Sequence, residues 1–385
     1  MSRSRSTLRS PTRPARLLAA LAIMSLIAAA CGDDEEAAPE PAPAPAEEAP
    51  AEPEAPAEEA PAEPEAPAEE APAEEAPAEA GGIPEGALVC FSNPTAGNSY
   101  MQAIQDGAEA TLAAAGVEMT AVSANLDPNK QVADIDECIA KGANAIMVPA
   151  PVVTEAILAP LQRAVDAGIA TIGLDIEFFY DGTPPTSPVQ AQVVEDRKLA
   201  AEQQAAFLNE ALEGEGQVVF IGFIFPVALI EESANQFAAA LEAYPGLELV
   251  DRVDNPSDDA AGARPLIDDV LTRLADVDAI VAYNGASAAG AAAAVAAVGR
   301  SDEIVVLSLQ TQPEALPGLK DGSIAADWDF EPVEAGQRMA ELALAALSGA
   351  PTDEWQVTVL TDVVHYDSSN IGDFISWGDQ VAAIG

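Results

Sequence analysis

Ala87-Leu-Val-Cys-Phe91, followed by Ser92-Asn-Pro-Thr-Ala-Gly-Asn-Ser-Tyr-Met-Gln-Ala-Ile-Gln-Asp-Gly107, is the stretch that decides the fold. Its first five residues are apolar without a break, as in a strand buried on both faces of a parallel sheet. A Ser/Asn/Pro/Gly loop follows, and helical spacing of apolar residues begins at Tyr100, Met101, Ile104 and Ala108. A buried strand, a small-residue loop and a helix N-terminus bring backbone N–H groups to the carboxyl edge of a sheet. In open α/β folds ligands bind at that edge.

The same unit recurs down the chain. Strands are expected at Glu118–Val122, Ala145–Val148 and Thr171–Leu174, with helices at Asn129–Lys141 and Thr154–Ala167 between them. A Pro/Gly/Thr stretch, Asp181 to Pro188, interrupts the pattern. Alternation then resumes from a helix at Asp196–Leu212 to a strand at Ile304–Ser308. Two strand–helix series separated by a breaker predict an α/β fold of two Rossmann-like lobes with parallel sheets. A helix at Pro332–Leu347 and a strand at Trp355–Val364 are too little for a third lobe and are expected to complete the first two.

The residues before Ile83 are of another kind. Five arginines (Arg3, Arg5, Arg9, Arg13, Arg16) precede an apolar run, Leu17 to Ala30, of signal-peptide length and too short to span a bilayer. The run ends in Ala28-Ala-Ala-Cys31-Gly-Asp, which resembles a bacterial lipoprotein signal. The resemblance implies acylation at Cys31 and a lipid anchor on the outer face of the cytoplasmic membrane. Residues 32–82 are almost wholly Ala, Pro and Glu, with EEAPAEPEAPA occurring at Glu47–Ala57 and again at Glu58–Ala68. Recurrent proline opposes helix, like charges extend the chain, and nothing is available to bury, so this segment is expected to be a disordered tether.

The net charge of −48 is spread unevenly: 18 of the 64 acidic residues fall between Cys31 and Ala80, which hold no Lys or Arg. The rest of the chain is still strongly acidic, which excludes nucleic acid as a partner. Catalysis has little to stand on. The single histidine, His365, lies in the expected last strand. No Ser/His/Asp, Cys/His or metal-ligand spacing appears, and no phosphate-cradling glycine loop follows a strand, so neither enzyme activity nor a cofactor or metal is expected.

Several spacings together resemble the ribose-type periplasmic binding proteins: Asn98-Ser-Tyr100 with Gly107, Asp127-Pro-Asn129 with Gln131, Gly142-Ala-Asn-Ala-Ile, Leu174-Asp175, Ala282-Tyr-Asn284, Lys320-Asp-Gly322-Ser-Ile, and Pro332 with Gly336. The resemblance covers nearly all of residues 83–360. It implies a type I solute-binding fold, a monomer whose two lobes are joined by three crossing segments and close on a small molecule delivered to an ABC permease. The crossings are expected near Pro185–Gln192, Ala325–Glu331 and Gln356–Val363. The first lobe would then be 83–187 plus 331–355, and the second 188–330 plus 356–385.

Carried over residue by residue, the resemblance puts Tyr100 where a ring stacks on the ligand, Asp175 where a carboxylate accepts hydroxyls, and Asn284 where an amide bonds them. Asn98 belongs to the same loop. The family's two arginines are missing: Ile176 follows Asp175, and Ser233 stands four residues before Phe237. Pro149 replaces an expected Asn and Gln310 an expected Asp. Glu177, Phe225, Trp328 and Asp329, at strand ends or crossings, are the remaining candidates for the site. Aromatic faces with carboxylates and no cationic fork suit an aromatic, less hydroxylated or cationic ligand as well as a sugar.

Cys90 and Cys138 are the two remaining cysteines of an exported chain, either a disulfide or two reduced buried thiols. Against the bond, Cys138 lies well along its helix while Cys90 is expected near the ligand end of its strand. The expected function is an extracytoplasmic solute-binding lipoprotein of an ABC importer, taking a sugar or sugar-like molecule. The alternative is a ligand-sensing receptor module signalling to a membrane kinase or chemoreceptor.

Overall fold

A computed structural model of the chain describes residues 82–350 and 358–384. The signal, Cys31 and nearly all of the tether lie outside the described residues, as does the start of the strand expected from Trp355.

Strands β1 (Leu88–Asn93), β2 (Glu118–Ser123), β3 (Ala145–Pro149), β4 (Ala170–Leu174) and β5 (Ala191–Glu195) form a parallel sheet in the order β5-β4-β3-β1-β2. Strands β6 (Gly216–Phe223), β7 (Leu247–Asn255), β8 (Val277–Ala282), β9 (Val305–Leu309) and β10 (Ala326–Asp329) repeat it as β10-β9-β8-β6-β7. The last two strands part company. β11 (Thr358–Thr361) adds parallel to β5, and β12 (Val364–Asp367) adds antiparallel to β10. The single strand expected over Trp355–Val364 is therefore two strands in different sheets, because the chain crosses between lobes at Asp362–Val363.

In the first lobe α1 (Ser99–Ala114) packs with α9 (Pro332–Leu347), while α2 (Pro128–Ala140) packs with α3 (Thr154–Asp166) over a separate apolar cluster containing Ile135, Ile146 and Ile157. In the second lobe α4 (Arg197–Ala211) packs with α5 (Ala228–Leu241). There α6 (Ala260–Arg273) pairs with α7 (Gly285–Ala297), and the short α8 (Leu316–Asp321) follows β9. Side-chain caps start many of these helices: Asn98 for α1, Asp127 for α2, Asp196 for α4, Asp259 for α6 and Asn284 for α7. The α1–α9 contact rests on two glycines. A Cβ on Gly107 would stand 2.3 Å from the Val333 carbonyl oxygen, and one on Gly336 would stand 2.0 Å from the Ile104 carbonyl oxygen. Only hydrogen at both positions lets the two backbones approach.

Two boundaries differ from the sequence expectation. β5 belongs to the first sheet, so the first crossing follows Glu195 rather than falling near Pro185–Gln192. Ala191-Gln-Val-Val-Glu195 is broken by two polar residues and follows a proline-rich stretch, so no apolar run marks that strand. The C-terminal helix α10 (Trp377–Ala382) packs on α1 of the first lobe, with Trp377 edge-on to Tyr100 at 5.8 Å, although 356–385 was expected in the second.

Cys90 and Cys138 are bonded, with Cα atoms 5.9 Å apart. The two meet, although Cys138 lies well along its helix, because α2 starts at the carboxyl edge and runs back along the sheet. Cys138 is ten residues into that run, about 15 Å, and Cys90 is three residues inside its strand, about 10 Å from the same edge.

Candidate functional site

Strand order reverses beside β1 in the first sheet and beside β6 in the second, which opens a crevice at each carboxyl edge. The two edges face each other across one cleft of about 450 Å³ counted to its open mouth. The first lobe contributes Pro94, Thr95 and Asn98 after β1, Leu126 after β2 and Ala150 after β3. The second contributes Phe223 from β6, Asp258 after β7, Tyr283 after β8 and Gln310 after β9. Leu126, Ala150, Asp258 and Gln310 all hold positive φ (64°, 39°, 57° and 61°), so the backbone is bent back at four of these strand ends. For residues other than glycine such bends carry strain and cluster at ligand sites.

One polar bridge closes the cleft. The Asn98 side chain accepts from the Tyr100 and Met101 amides through Oδ1, and its Nδ2 donates to Asp258 Oδ2 of the other lobe at 2.7 Å. Asp258 Oδ1 accepts from the Tyr283 hydroxyl and from Asn284 Nδ2. Burial raises the Asp258 carboxyl above the ordinary carboxylate range, and the donors from Tyr283, Asn98 and Asn284 pull it partway back. A second bridge at the rim joins Tyr180 of the first lobe to Glu232 Oε1 on α5 at 2.9 Å.

Behind the cleft, at the first crossing, lies a buried ionic cluster. Arg197, the first residue of α4, donates to Asp175 Oδ2 from Nη2 at 2.9 Å and pairs with Glu195 through the same nitrogen. Its Nη1 donates to Ser233 Oγ at 3.1 Å, and its guanidinium lies 4.8 Å from the Phe330 ring centroid. Glu195 Oε1 accepts from the Tyr100 hydroxyl at 2.7 Å. Burial pushes the Glu195 and Asp175 carboxyls up while Arg197 holds them down. Asp329 is pushed up to about 8 by burial and by the neighbouring Asp327 and Glu331.

The sequence candidates therefore divide. Asn98 and Gln310 line the cleft, and Asn284 stands at Asp258. Tyr100 and Asp175 are buried in the ionic cluster, and the Asp175 carboxylate is committed to Arg197 and the Glu195 amide. Glu177 departs from expectation: it accepts from the amides and hydroxyls of Thr186 and Ser187 and staples its own loop. Phe225 sits at the rim, 40% exposed and 5.3 Å from Phe223. Trp328 is a core residue, donating to Gln203 Oε1, edge-on to Phe207 and tilted against His365. Asp329 is fully buried on the same strand.

An arginine that the sequence pattern did not mark stands behind the cleft rather than in it. Arg197 brings a guanidinium from α4 to lie between Asp175 and Ser233, beside the two positions where the sequence lacks arginine. No residue spacing pointed to it, because its route runs through the crossing after the unrecognised strand β5. Asp258 was missed as well, although it lies in the same strand-to-helix position as the residues singled out elsewhere.

The sequence pattern described as the periplasmic binding protein domain matches residues 89–351. The chain is 23% identical over 259 residues to the ribose import binding protein of Bacillus subtilis, covering 67% of this chain and 81% of that one. It is 28% identical over 245 residues to a putative rhizopine-binding protein of Rhizobium meliloti, covering 61% and 75%. Among solved structures, an ABC transporter solute-binding protein from Burkholderia graminis in complex with D-arabinose superposes with a TM-score of 0.67 at 20% identity, covering 77% of this chain and 99% of that one.

Proposed function

We propose that this chain, which belongs to the periplasmic binding protein domain family, is an extracytoplasmic receptor that captures a small sugar or sugar-like solute between its lobes for an ABC importer. The observation that carries this reading is the cleft to which both lobes contribute, bridged by Asn98 and Asp258. A solute there meets apolar walls from Met101, Phe223 and Ile230 and polar groups from Asn98, Asp258 and Gln310. Apolar walls with a few fixed polar groups are the usual make-up of a small-molecule site. The relatives named as import binding proteins support uptake as its purpose. Acylation at Cys31 would anchor the receptor, and residues 32–82 would hold it off the membrane.

The full chain is tested by thermal shift against a panel of sugars and polyols, since a ligand stabilises by RT ln(1 + [L]/Kd). A compound that raises Tm should also compact the protein in small-angle scattering. Stabilisation without compaction would mean capture on one lobe, and the closing-cleft reading would be dropped.

A further inference from the structure

The cleft has an electrostatic imbalance. Asp258 is the one charged residue among those that line it, and Lys, Arg and His are absent from that set. The Asp258 carboxylate is approached by three donors, from Asn98, Tyr283 and Asn284, and all three are neutral. A carboxylate has about four acceptor positions, so Oδ2, bonded only by Asn98, keeps one for a further donor. Asp259, which also carries negative charge, acts on it and repels. Arg197 cannot serve the cleft, because Asp175 and Glu195 already take its charge in a cluster where all three side chains are 1% exposed. A half-buried carboxylate set against apolar walls, with no cation of its own, is a costly arrangement that a cation entering the cleft would relieve. The field outside favours the same visitor: a net charge of −48 concentrates cations and repels anions.

We infer that the solute captured in the cleft carries a protonated amine, which pairs with Asp258. This rests on the capture reading above and narrows it from small polyhydroxylated solutes to amino sugars and related amino polyols. A neutral sugar can give Asp258 a hydroxyl donor but leaves its charge uncompensated. An ammonium group on the same ring supplies both donor and charge.

The test uses the full chain and matched pairs that differ by one group: D-glucosamine against D-glucose, and D-galactosamine against D-galactose, followed by calorimetry near neutral pH. The amine member of a pair should bind at least about tenfold tighter. That preference should fall toward unity in Asp258→Asn. A second measurement needs neither a chosen ligand nor a variant: the parent protein is equilibrated with a protein-free cell extract, and the retained solute is released and identified by mass spectrometry. A retained solute with a basic nitrogen supports the inference. A neutral member that binds as well as its amine partner, or a retained solute without a basic nitrogen, overturns it and leaves the capture reading standing. Retention of no solute overturns both.

Discussion

Arg197 and Asp175 form a fully buried ion pair, Nη2 to Oδ2 at 2.9 Å, across the first crossing between the lobes. Asp175 directly follows β4 of the first lobe, and Arg197 begins α4 of the second. The pair stands where the chain turns from one lobe to the other, and Glu195 and Ser233 fill out the guanidinium's remaining bonds.

Removing the cation should be costly. Arg197→Met leaves two buried carboxylates uncompensated, and breaking a buried pair in this way typically costs about 3–5 kcal/mol. Urea denaturation at neutral pH should show that loss. It should shrink in acid, where Asp175 and Glu195 take up protons. Equal losses at both pH values would show that packing against Phe330 matters and the charge does not.

The Asn98–Asp258 bridge should set how closed the ligand-free protein is. Asn98→Ala removes the bridge and an N-cap worth about 1 kcal/mol. Asn98→Asp keeps the cap but sets a second carboxylate against Asp258. Scattering in the absence of ligand should therefore show a larger radius of gyration in both variants, and the larger increase in Asn98→Asp. Unchanged radii would mean that Tyr180–Glu232 or apolar contact holds the cleft.

Asp329 makes stability fall with rising pH. Its carboxyl, ordinarily near 3.8, is pushed up to about 8, so between those values the folded protein binds a proton that the unfolded chain has released. Stability supplied by that proton is complete below about 4 and lost by about 8, with a slope of at most about 1.4 kcal/mol per pH unit. Asp329→Asn should remove that slope, so its melting temperature gains on the parent's as pH rises through this window. Parallel pH curves for parent and variant would rule the effect out.

The disulfide closes a loop of 48 residues, which the chain-entropy account values at about 4 kcal/mol. Cys138→Ala in the oxidised protein should lower the denaturation midpoint, and adding a reductant should lower the parent's but leave the variant's unchanged. A reductant effect that persists in Cys138→Ala would point to a thiol elsewhere.

The order of elements was legible in the sequence because it is written in local pattern. An apolar run such as Ala87–Phe91 suits a strand buried on both faces of a parallel sheet, and Asn98, Asp127 and Asn284 cap the helices that follow such strands. Proline and like charge over residues 32–82 exclude a core by composition alone. What the tertiary structure decided lies at the crossings and strand ends, where residues far apart in the chain meet. β5 carries Gln192 and Glu195 and shows no unbroken apolar run, and only its pairing with β4 carries Arg197 to Asp175. Asp258 becomes a cleft residue through a bond to a residue 160 positions away, and Trp328 becomes core through one 125 positions away. Local propensity acts over a few residues, whereas a site between lobes is set by how two sheets face each other.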